Sequence, residues 1–409
     1  MRFKAQVALA ASFLLLLTLF NSKSRFFVSS AFHKVLASTG VLDAKVVAES
    51  NSVSFSDITA PSVVKDNPYI FAQSLPLSGL SARVGREYAR GMDLALREIN
   101  KSGGLHNRKI MIWRKDDQYE PKLTIANTHK FRIDPRVISL LGYWGTPTTK
   151  ASLRILEGSN IMHIAPLTGA SIFRTRNDNR FLHFRSSYDQ ESFIISEYLK
   201  QNGFLRPLII YQNDSFGFDF LTSFEKYFQE FGLRPVGKLP ITRNSSDLGS
   251  TIVQSYNSKP DAVIIISVAT GVTDIINGLD NMGIQPQYFT ISFAGIDTLF
   301  DKLPRHLSYG IGASQVVDFP WDTRIKYVHD YQKQIYLDDP SRGFSYLSLE
   351  GYSVMKWLYN IMKGLDPDFT RDDFNNRIKS YIAANPERKE MPKPNIVFLG
   401  SSPWRPGIN

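Results

Sequence analysis

The chain has 409 residues, of which 43% are hydrophobic and 21% are charged, which is enough for a large core and for two or three domains. It contains no cysteine, which excludes disulfides, cysteine-bound metal centres, thiol catalysis and a lipid anchor on cysteine. The net charge of +10 is dispersed and no basic block follows the first 50 residues, so the pattern argues against a nucleic-acid ligand.

The N-terminal segment has the pattern of an export signal. Arg2 and Lys4 precede an uncharged apolar stretch at residues 5–20. We predict a signal peptide or signal anchor at residues 1–25 and a Ser-rich linker at residues 26–67. The apolar stretch is shorter than the roughly 20 residues that a spanning helix needs, which favours cleavage, but no clean cleavage motif follows it, so both alternatives stay open.

From Tyr69 onward, short apolar runs alternate with segments of helical period, which is the pattern of an α/β protein with parallel sheets. The first unit is a predicted strand at 69–75 and a helix at 85–101, which Gly103 and Gly104 end. Further strands of this series are KIMIWRK, VISLLGYW and IMHIAPL.

A second series of strands and helices follows the first. Its strands are PLIIYQN, VGKLPIT, DAVIIISV and QYFTISF, and the chain then becomes mostly helical at 323–337, 346–364 and 371–383. Two such series predict two Rossmann-like lobes. Because ligands of such sheets bind at the carboxyl ends of the strands, we expect the ligand in the cleft between the lobes.

The order of four stretches resembles the type I periplasmic binding proteins, in their leucine/isoleucine/valine- and amide-binding branch. These stretches are PLSGLSARVGREYARGMDLALREINKSGGLHNRKI, KDDQYEPKLTIANTHKFR, LLGYWGTPTTKASL with HIAPLTGA, and YLSLEGYSVMKWL. The resemblance implies two α/β lobes joined by a hinge of crossing strands. Lobe one would comprise residues 67–187 and 314–383, and lobe two residues 188–313 and 384–409. The C-terminal stretch is shorter than the usual tail, which leaves open whether it completes lobe two.

The segment at residues 142–148 follows a predicted strand and opens a helix, an arrangement that suits an anion such as a carboxylate. The resemblance implies that the hydroxyl of Thr146 binds the carboxylate of the ligand, with Trp144 and Gly145 beside it. The alternative role of Thr146 is simple capping of the helix.

The resemblance also implies further ligand-binding positions, whose alternatives are turn formation and core packing. They are Ser78, Gly85, Leu167, Thr168, Gly169, Phe216 and Val268. Thr168 and its neighbours would contact the same end of the ligand as Thr146, and the ring of Phe216 would cover the ligand as the lobes close.

Ser292 departs from the family pattern, because amino-acid-binding relatives often place there a Glu that pairs with the ammonium of the ligand. Serine cannot neutralise a buried ammonium, so either another acid serves or the ligand lacks this group. The candidate acids are Asp214, Asp219 and Asp297. In the second case, Trp144, Phe216 and Phe293 favour an amide or a flat organic acid.

No pattern of an enzyme stands out. We interpret Asp116 and Asp117 as cap or turn acids, and the seven His residues form no zinc-binding pair. We therefore predict a non-enzymatic solute-binding protein of an ABC importer, without metal or cofactor, for an amino acid, amide or small organic acid. It would be monomeric and partner a membrane permease, in the periplasm or tethered to the outer face of the inner membrane. The alternative is a membrane-tethered sensing module for a signalling partner.

Overall fold

The computed structural model describes residues 67–175, 179–299, 302–385 and 393–399. The predicted export segment lies outside the described residues, as does nearly all of the predicted linker. The chain divides into two compact units. In the smaller unit the structure describes Lys333–Gly343, where the carboxylate of Asp339 accepts hydrogen bonds from the backbone and hydroxyl of Ser341.

The larger unit contains two sheets, and the first is built from the first predicted series. Its described strands are β1 Tyr69–Leu75, β2 Ile110–Asp116, β3 Val137–Leu141, β4 His163–Ile164 and β5 Phe181–Leu182. Their spatial order is β2-β1-β3-β4-β5, and all neighbours are parallel. Every residue of β1 is buried, as expected of a central strand covered on both faces.

The second sheet has the order β11-β10-β9-β8-β6-β7. Its described strands are β6 Pro207–Gln212, β7 Gly237–Ile241, β8 Ala262–Ile266, β9 Gln287–Thr290, β10 Gly312–Gln315 and β11 Asn395–Phe398. β11 pairs antiparallel with β10, and the other neighbours are parallel. The C-terminal stretch thus joins the second sheet as its edge strand.

Helices connect and cover the strands. They are α1 Ala82–Lys101, α2 Pro121–Ile133, α3 Thr146–Ile155, α4 Tyr188–Gln201, α5 Ser215–Phe231, α6 Gly249–Ser258, α7 Ala269–Asn281, α8 Arg305–Ser308, α9 Lys326–Asp338, α10 Tyr346–Met362 and α11 Arg371–Ala384. The helix α10 packs on α1, and α11 packs on β3 of the first sheet. The chain therefore passes between the two lobes three times, which confirms the predicted two-lobed α/β architecture with crossing segments.

Two glycines allow α1 and α10 to approach each other closely. A Cβ atom on Gly91 would overlap the carbonyl of Ser348, and one on Gly351 would overlap the carbonyl of Tyr88. Only glycine fits such a backbone approach. These positions fall within two of the stretches on which the family resemblance rests.

The strand predicted from IMHIAPL is much shorter than expected. It ends at Ile164, because Ala165 adopts a φ of 46° and Pro166 has no N–H to donate to a neighbouring strand. The chain leaves the sheet here and carries Leu167 and Thr168 toward the start of α3.

Candidate functional site

The loop between β3 and α3 lies at the carboxyl end of its strand. Trp144 pairs with Leu167, and the Gly145 N–H donates to the carbonyl of Leu167 at 3.2 Å. Gly145 has a φ of 86° and is the N-cap residue of α3, and Thr146 is the first residue of that helix. The loop therefore fixes Trp144 and Thr146 against the segment that follows β4.

Three hydroxyl groups meet beside this loop. The Oγ1 atoms of Thr146 and Thr168 lie 2.8 Å apart, and the hydroxyl of Tyr188 lies 3.5 Å from Oγ1 of Thr146. All three side chains are fully buried, and burial raises the pKa of Tyr188 to about 12, against the opposing effect of Arg185. Gly145 is the N-cap residue of α3, so Thr146 does not take the capping position. The hydroxyl of Thr146 instead contacts the hydroxyls of Thr168 and Tyr188. We call these three residues the hydroxyl cluster.

Aromatic rings from both lobes pack beside the hydroxyl cluster. The ring centre of Phe293 lies 4.8 Å from Trp144, 4.8 Å from Phe216 and 6.0 Å from Tyr119, and Phe216 lies 5.7 Å from Tyr188. All five rings are buried. The indole Nε1 of Trp144 has no hydrogen-bond partner within the described part of the chain. This aromatic cluster places apolar rings next to the hydroxyl cluster.

Tyr119 contributes to the site without any sequence pattern that predicted it. It has a φ of 62° in the turn before α2, its hydroxyl accepts a hydrogen bond from Nε2 of Gln212 at 3.3 Å, and burial raises its pKa. Gln212 ends β6 of the second sheet, so this bond links the two lobes directly.

Buried charges lie where the chain crosses between the lobes. Arg185 donates from Nε and Nη2 to the two carboxylate oxygens of Glu350, at 3.0 and 3.1 Å, and from Nη2 to the hydroxyl of Ser292 at 3.1 Å. Burial raises the pKa of Glu350 against the lowering effect of Arg185. Glu191 accepts from the Ser292 N–H at 3.1 Å and from the Ser314 hydroxyl at 2.6 Å. Ser292 is therefore in contact with both an acid and a guanidinium.

A second set of polar contacts joins the lobes nearer to solvent. Arg243 contacts Asp214 at 2.9 Å and Glu120 at 3.3 Å, and Asn244 donates to Glu120 at 2.7 Å. Because Glu120 precedes α2 of one lobe and the others belong to the second lobe, these residues connect the two facing loops. We call them the rim contacts.

The structure places Ser78 and Gly85 in a turn close to the start of α1. The hydroxyl of Ser78 donates to Asp116, whose carboxylate also accepts from the backbone of Leu77 at 2.7 Å. A Cβ on Gly85 would overlap the carbonyl of Pro76. Neither residue is hydrogen-bonded to the hydroxyl cluster within the described residues, so their ligand contact stays a prediction.

The remaining predicted positions differ in how they relate to the hydroxyl cluster. The carbonyl of Gly169 accepts from the Tyr188 N–H at 3.0 Å, and a Cβ on Gly169 would lie 2.5 Å from the Tyr188 ring. Val268 is the buried N-cap residue of α7, and its carbonyl accepts from Val272. Gly169 thus positions Tyr188, whereas ligand contact by Val268 stays a prediction.

The acids that we considered as substitutes for a Glu at position 292 are engaged elsewhere. Asp214 caps α5 and pairs with Arg243, and Asp219 accepts from the backbone and hydroxyl of Ser171. Asp297 accepts from the Tyr346 N–H at 2.8 Å, and burial raises its pKa to about 7. The acids nearest to Ser292 are instead Glu191 and, through Arg185, Glu350.

Asp116 and Asp117 serve the turn between β2 and α2. Asp117 is fully buried and accepts from Ser74, Thr124 and the Tyr119 N–H. Burial raises the pKa of Asp117 to about 7, although these hydrogen bonds oppose the increase.

Within the four described ranges, no three His, Asp or Glu residues are grouped so that they could hold a metal ion. In the same ranges, no helix has the length and apolar character needed to cross a bilayer.

The profile described as "Periplasmic binding protein" matches residues 71–386. The "Leu/Ile/Val-binding protein homolog 8" of Brucella abortus (strain 2308) is 24% identical over 328 residues, which are 73% of this chain and 77% of that protein. The "Amino acid binding protein" of Pseudomonas aeruginosa is 19% identical over 216 residues, and the match spans 53% of this chain and only 58% of that relative.

Solved structures of periplasmic binding proteins have a similar fold. A possible leucine/isoleucine/valine-binding protein from Rhodopirellula baltica SH 1 superposes with a TM-score of 0.72 at 25% identity, covering 78% of this chain and 88% of that one. The branched-chain amino acid transporter substrate binding protein of Streptococcus pneumoniae, solved with isoleucine, has a TM-score of 0.66 at 15% identity, with 76% and 87% covered. With its two lobes, crossing segments and matched profile, this chain belongs to the type I periplasmic binding proteins, in their leucine/isoleucine/valine-binding branch.

Proposed function

We propose that the protein is the extracytoplasmic receptor of an ABC importer, and that it captures a small amino-acid-like or amide solute as its two lobes close. Lobe one would comprise residues 67–187 and 314–383, and lobe two residues 188–313 and 384–409. The closed lobes would dock on a membrane permease. Relatives named for amino-acid binding, and one named as a transporter component, support this role.

The hydroxyl cluster is the observation that carries the proposal. Thr146 and Thr168 come from the first lobe and Tyr188 begins α4 of the second, so the cluster spans the two lobes. Hydroxyls can donate to a carboxylate, and a buried site strengthens such bonds because water does not compete. A carboxylate or carboxamide bound here would bridge the lobes and favour their closure.

The surroundings of the hydroxyl cluster support a small solute with an apolar part. Trp144, Phe216 and Phe293 supply adjoining rings, and small-molecule sites are commonly apolar with a few placed polar groups. The solute would thus place its polar end on the hydroxyl cluster and its apolar end among the rings.

A thermal-shift screen of amino acids, carboxamides, urea and short organic acids tests the proposal. A solute present at a hundredfold excess over its dissociation constant stabilises the folded protein by about 2.7 kcal/mol. We expect a shift with the wild-type protein that falls strongly in the Thr146→Ala and Phe216→Ala variants. An equal shift in all three proteins would place the binding site elsewhere, and no shift with any solute would refute the proposed ligand class.

A further inference from the structure

Position 292 lies next to an acid even though the residue there is serine. The Ser292 N–H donates to Oε2 of Glu191 at 3.1 Å, so the carboxylate of Glu191 is in contact with the backbone of residue 292. Glu191 comes from α4 and reaches this place from the neighbouring element. The carboxylate next to Ser292 is therefore supplied by a residue of another element.

Glu191 also lies close to the hydroxyl cluster. It follows Tyr188 by three residues in α4, and residues at this spacing are neighbours on a helix surface. The hydroxyl of Tyr188 in turn lies 3.5 Å from Oγ1 of Thr146. The start of α4 therefore carries both the Tyr188 hydroxyl, which belongs to the hydroxyl cluster, and the carboxylate of Glu191.

One oxygen of Glu191 is left without a partner. The side chain is fully buried, Oε2 accepts from Ser292 and Ser314, and Oε1 has no hydrogen-bond partner among the described residues. A buried carboxylate oxygen without a donor is costly, so its presence points to a donor supplied from outside the chain.

The balance of buried charge indicates the charge of that donor. Arg185 contacts Glu350 through two hydrogen bonds and also interacts electrostatically with Glu191, and Nη1 of Arg185 lacks a partner in the described part of the chain. Glu191 adds a second buried acid, so the three residues carry one cation and two acids. The N-terminal turn of α4 offsets part of this charge. A cation beside Glu191 would offset the rest.

We propose that Glu191 determines the specificity of the site by receiving the cationic group of the solute. This inference rests on the proposed function and narrows it. The solute would carry an ammonium or a similar cation next to the carboxylate that the hydroxyl cluster holds.

Matched solute pairs test this role by calorimetry. We use L-leucine with 4-methylpentanoate and L-phenylalanine with 3-phenylpropanoate, because the members of each pair differ only in the ammonium group. We expect the wild-type protein to bind at least one amino acid about tenfold more tightly than its partner without the ammonium, because the ammonium would form a buried charge pair with Glu191. This comparison needs no variant and so does not depend on a variant's folding.

The Glu191→Gln variant keeps an oxygen that can accept from Ser292 but removes the charge. We expect it to lose the preference for the amino acid while its affinity for the acid without ammonium stays unchanged within error. Adding Ser292→Glu to this variant should restore part of the preference. Glu197→Gln in the same helix is the control and should behave as the wild type.

Two results would overturn the role of Glu191 and leave the proposed function standing. The first is a wild-type protein that binds both members of each pair equally or prefers the acid without ammonium. The second is a Glu191→Gln variant that weakens both members to the same extent, as a purely structural residue would. If none of these four solutes binds and the thermal-shift screen finds only solutes without a cation, this inference fails alone. If no solute of that screen binds, the proposed function fails and this inference fails with it.

Discussion

Arg185 and Glu350 form a buried ion pair with two hydrogen bonds between residues 165 positions apart in the chain. Arg185 precedes α4 at the first passage between the lobes, and Glu350 lies in α10, after the chain has returned. The pair thus fastens one crossing segment to a helix that packs on α1 of the first lobe.

Removing one partner of this pair should destabilise the protein strongly. Glu350→Gln leaves the guanidinium buried without its counter-charge, and we expect a loss of about 3–5 kcal/mol in the free energy of unfolding. Urea denaturation measures it. The double variant Arg185→Met with Glu350→Leu should lose less than the single variant, because neither member of the pair is then buried without the other. As a control, Asp330→Asn removes the exposed pair with Lys326 and should leave stability unchanged. Equal losses in both variants at Glu350 would contradict the charge argument.

The hydroxyl of Thr146 should matter for solute affinity. Thr146→Val keeps the shape of the side chain and removes the hydroxyl, so any solute identified by the thermal-shift screen should bind about tenfold more weakly. Isothermal calorimetry measures the change. Thr149→Val is the matched control in the same helix, because Oγ1 of Thr149 is buried without a hydrogen-bond partner in the described structure. Affinity lost equally in both variants would point to a packing effect.

The rim contacts should favour closure of the lobes. Arg243→Gln removes the contacts with Asp214 and Glu120, which are partly exposed, so we expect affinity to fall by only about two- to fivefold. The difference from wild type should shrink at high salt because ions screen such pairs. Small-angle scattering should show a larger radius of gyration for this variant. Asp134→Asn, which removes a pair with Arg136 in a loop of the first lobe, should change neither quantity.

Two adjacent acids should affect stability with opposite dependence on pH. Burial raises the pKa of Asp117 from 3.8 to about 7, so the folded state holds a proton that the unfolded state has lost in this range. The contribution of Asp117 is therefore present below pH 3.8 and is lost as pH rises toward 7, by at most about 1.4 kcal/mol per pH unit. Urea titrations of Asp117→Asn against wild type should show the variant gaining relative stability as pH rises.

Asp116 provides the opposite case next to it. Burial tends to raise its pKa, but hydrogen bonds from Ser78 and the backbone of Leu77 outweigh burial and lower it. Its contribution is present above its unfolded pKa of 3.8 and is lost as pH falls further. The advantage of wild type over Asp116→Asn should therefore shrink in acid. The same pH trend in both variants would contradict these assignments.

Gly145 should tolerate no side chain. Its φ of 86° disfavours other residues, and a Cβ would overlap the ring of Tyr119. Gly158 has a φ of 71° but nothing within 4 Å of a Cβ, so Gly158→Ala measures the backbone cost alone, about 1 kcal/mol. We expect Gly145→Ala to cost clearly more in thermal unfolding and to weaken solute binding. Equal costs would show that Tyr119 moves aside freely.

The sequence predicted the regular elements well where the pattern was strong. The strand at Tyr69–Leu75 was predicted with its bounds, because a mostly apolar run followed by a turn leaves few alternatives. The predicted helix at 85–101 was close, but α1 begins earlier, at Ala82. The strand around His163 was too long in the prediction, since the positive φ of Ala165 depends on packing that periodicity does not report.

The site was predictable only in part. Thr146 and Thr168 follow strands, where ligands of parallel sheets are expected, and the structure brings their hydroxyls together. Arg185 and Glu191 were missed because their contacts with Ser292 depend on how the crossing segments fold back, and Tyr119 was missed because its contact with Gln212 depends on how the two lobes face each other. One signal was available: Ser187 and Gln190 form a capping box, which fixes the start of α4 and so places Tyr188 and Glu191 in its first turns.

The antiparallel strand β11 has a protective consequence. It covers β10, which would otherwise end the second sheet with unpaired N–H and C=O groups. Such an open edge readily pairs with another chain and starts aggregation. The opposite edge, β7, has Lys238 exposed and contains Pro240, both of which discourage pairing. A protein shortened before Asn395 would lose this protection on one side and should form self-associated species while its solute site is still assembled.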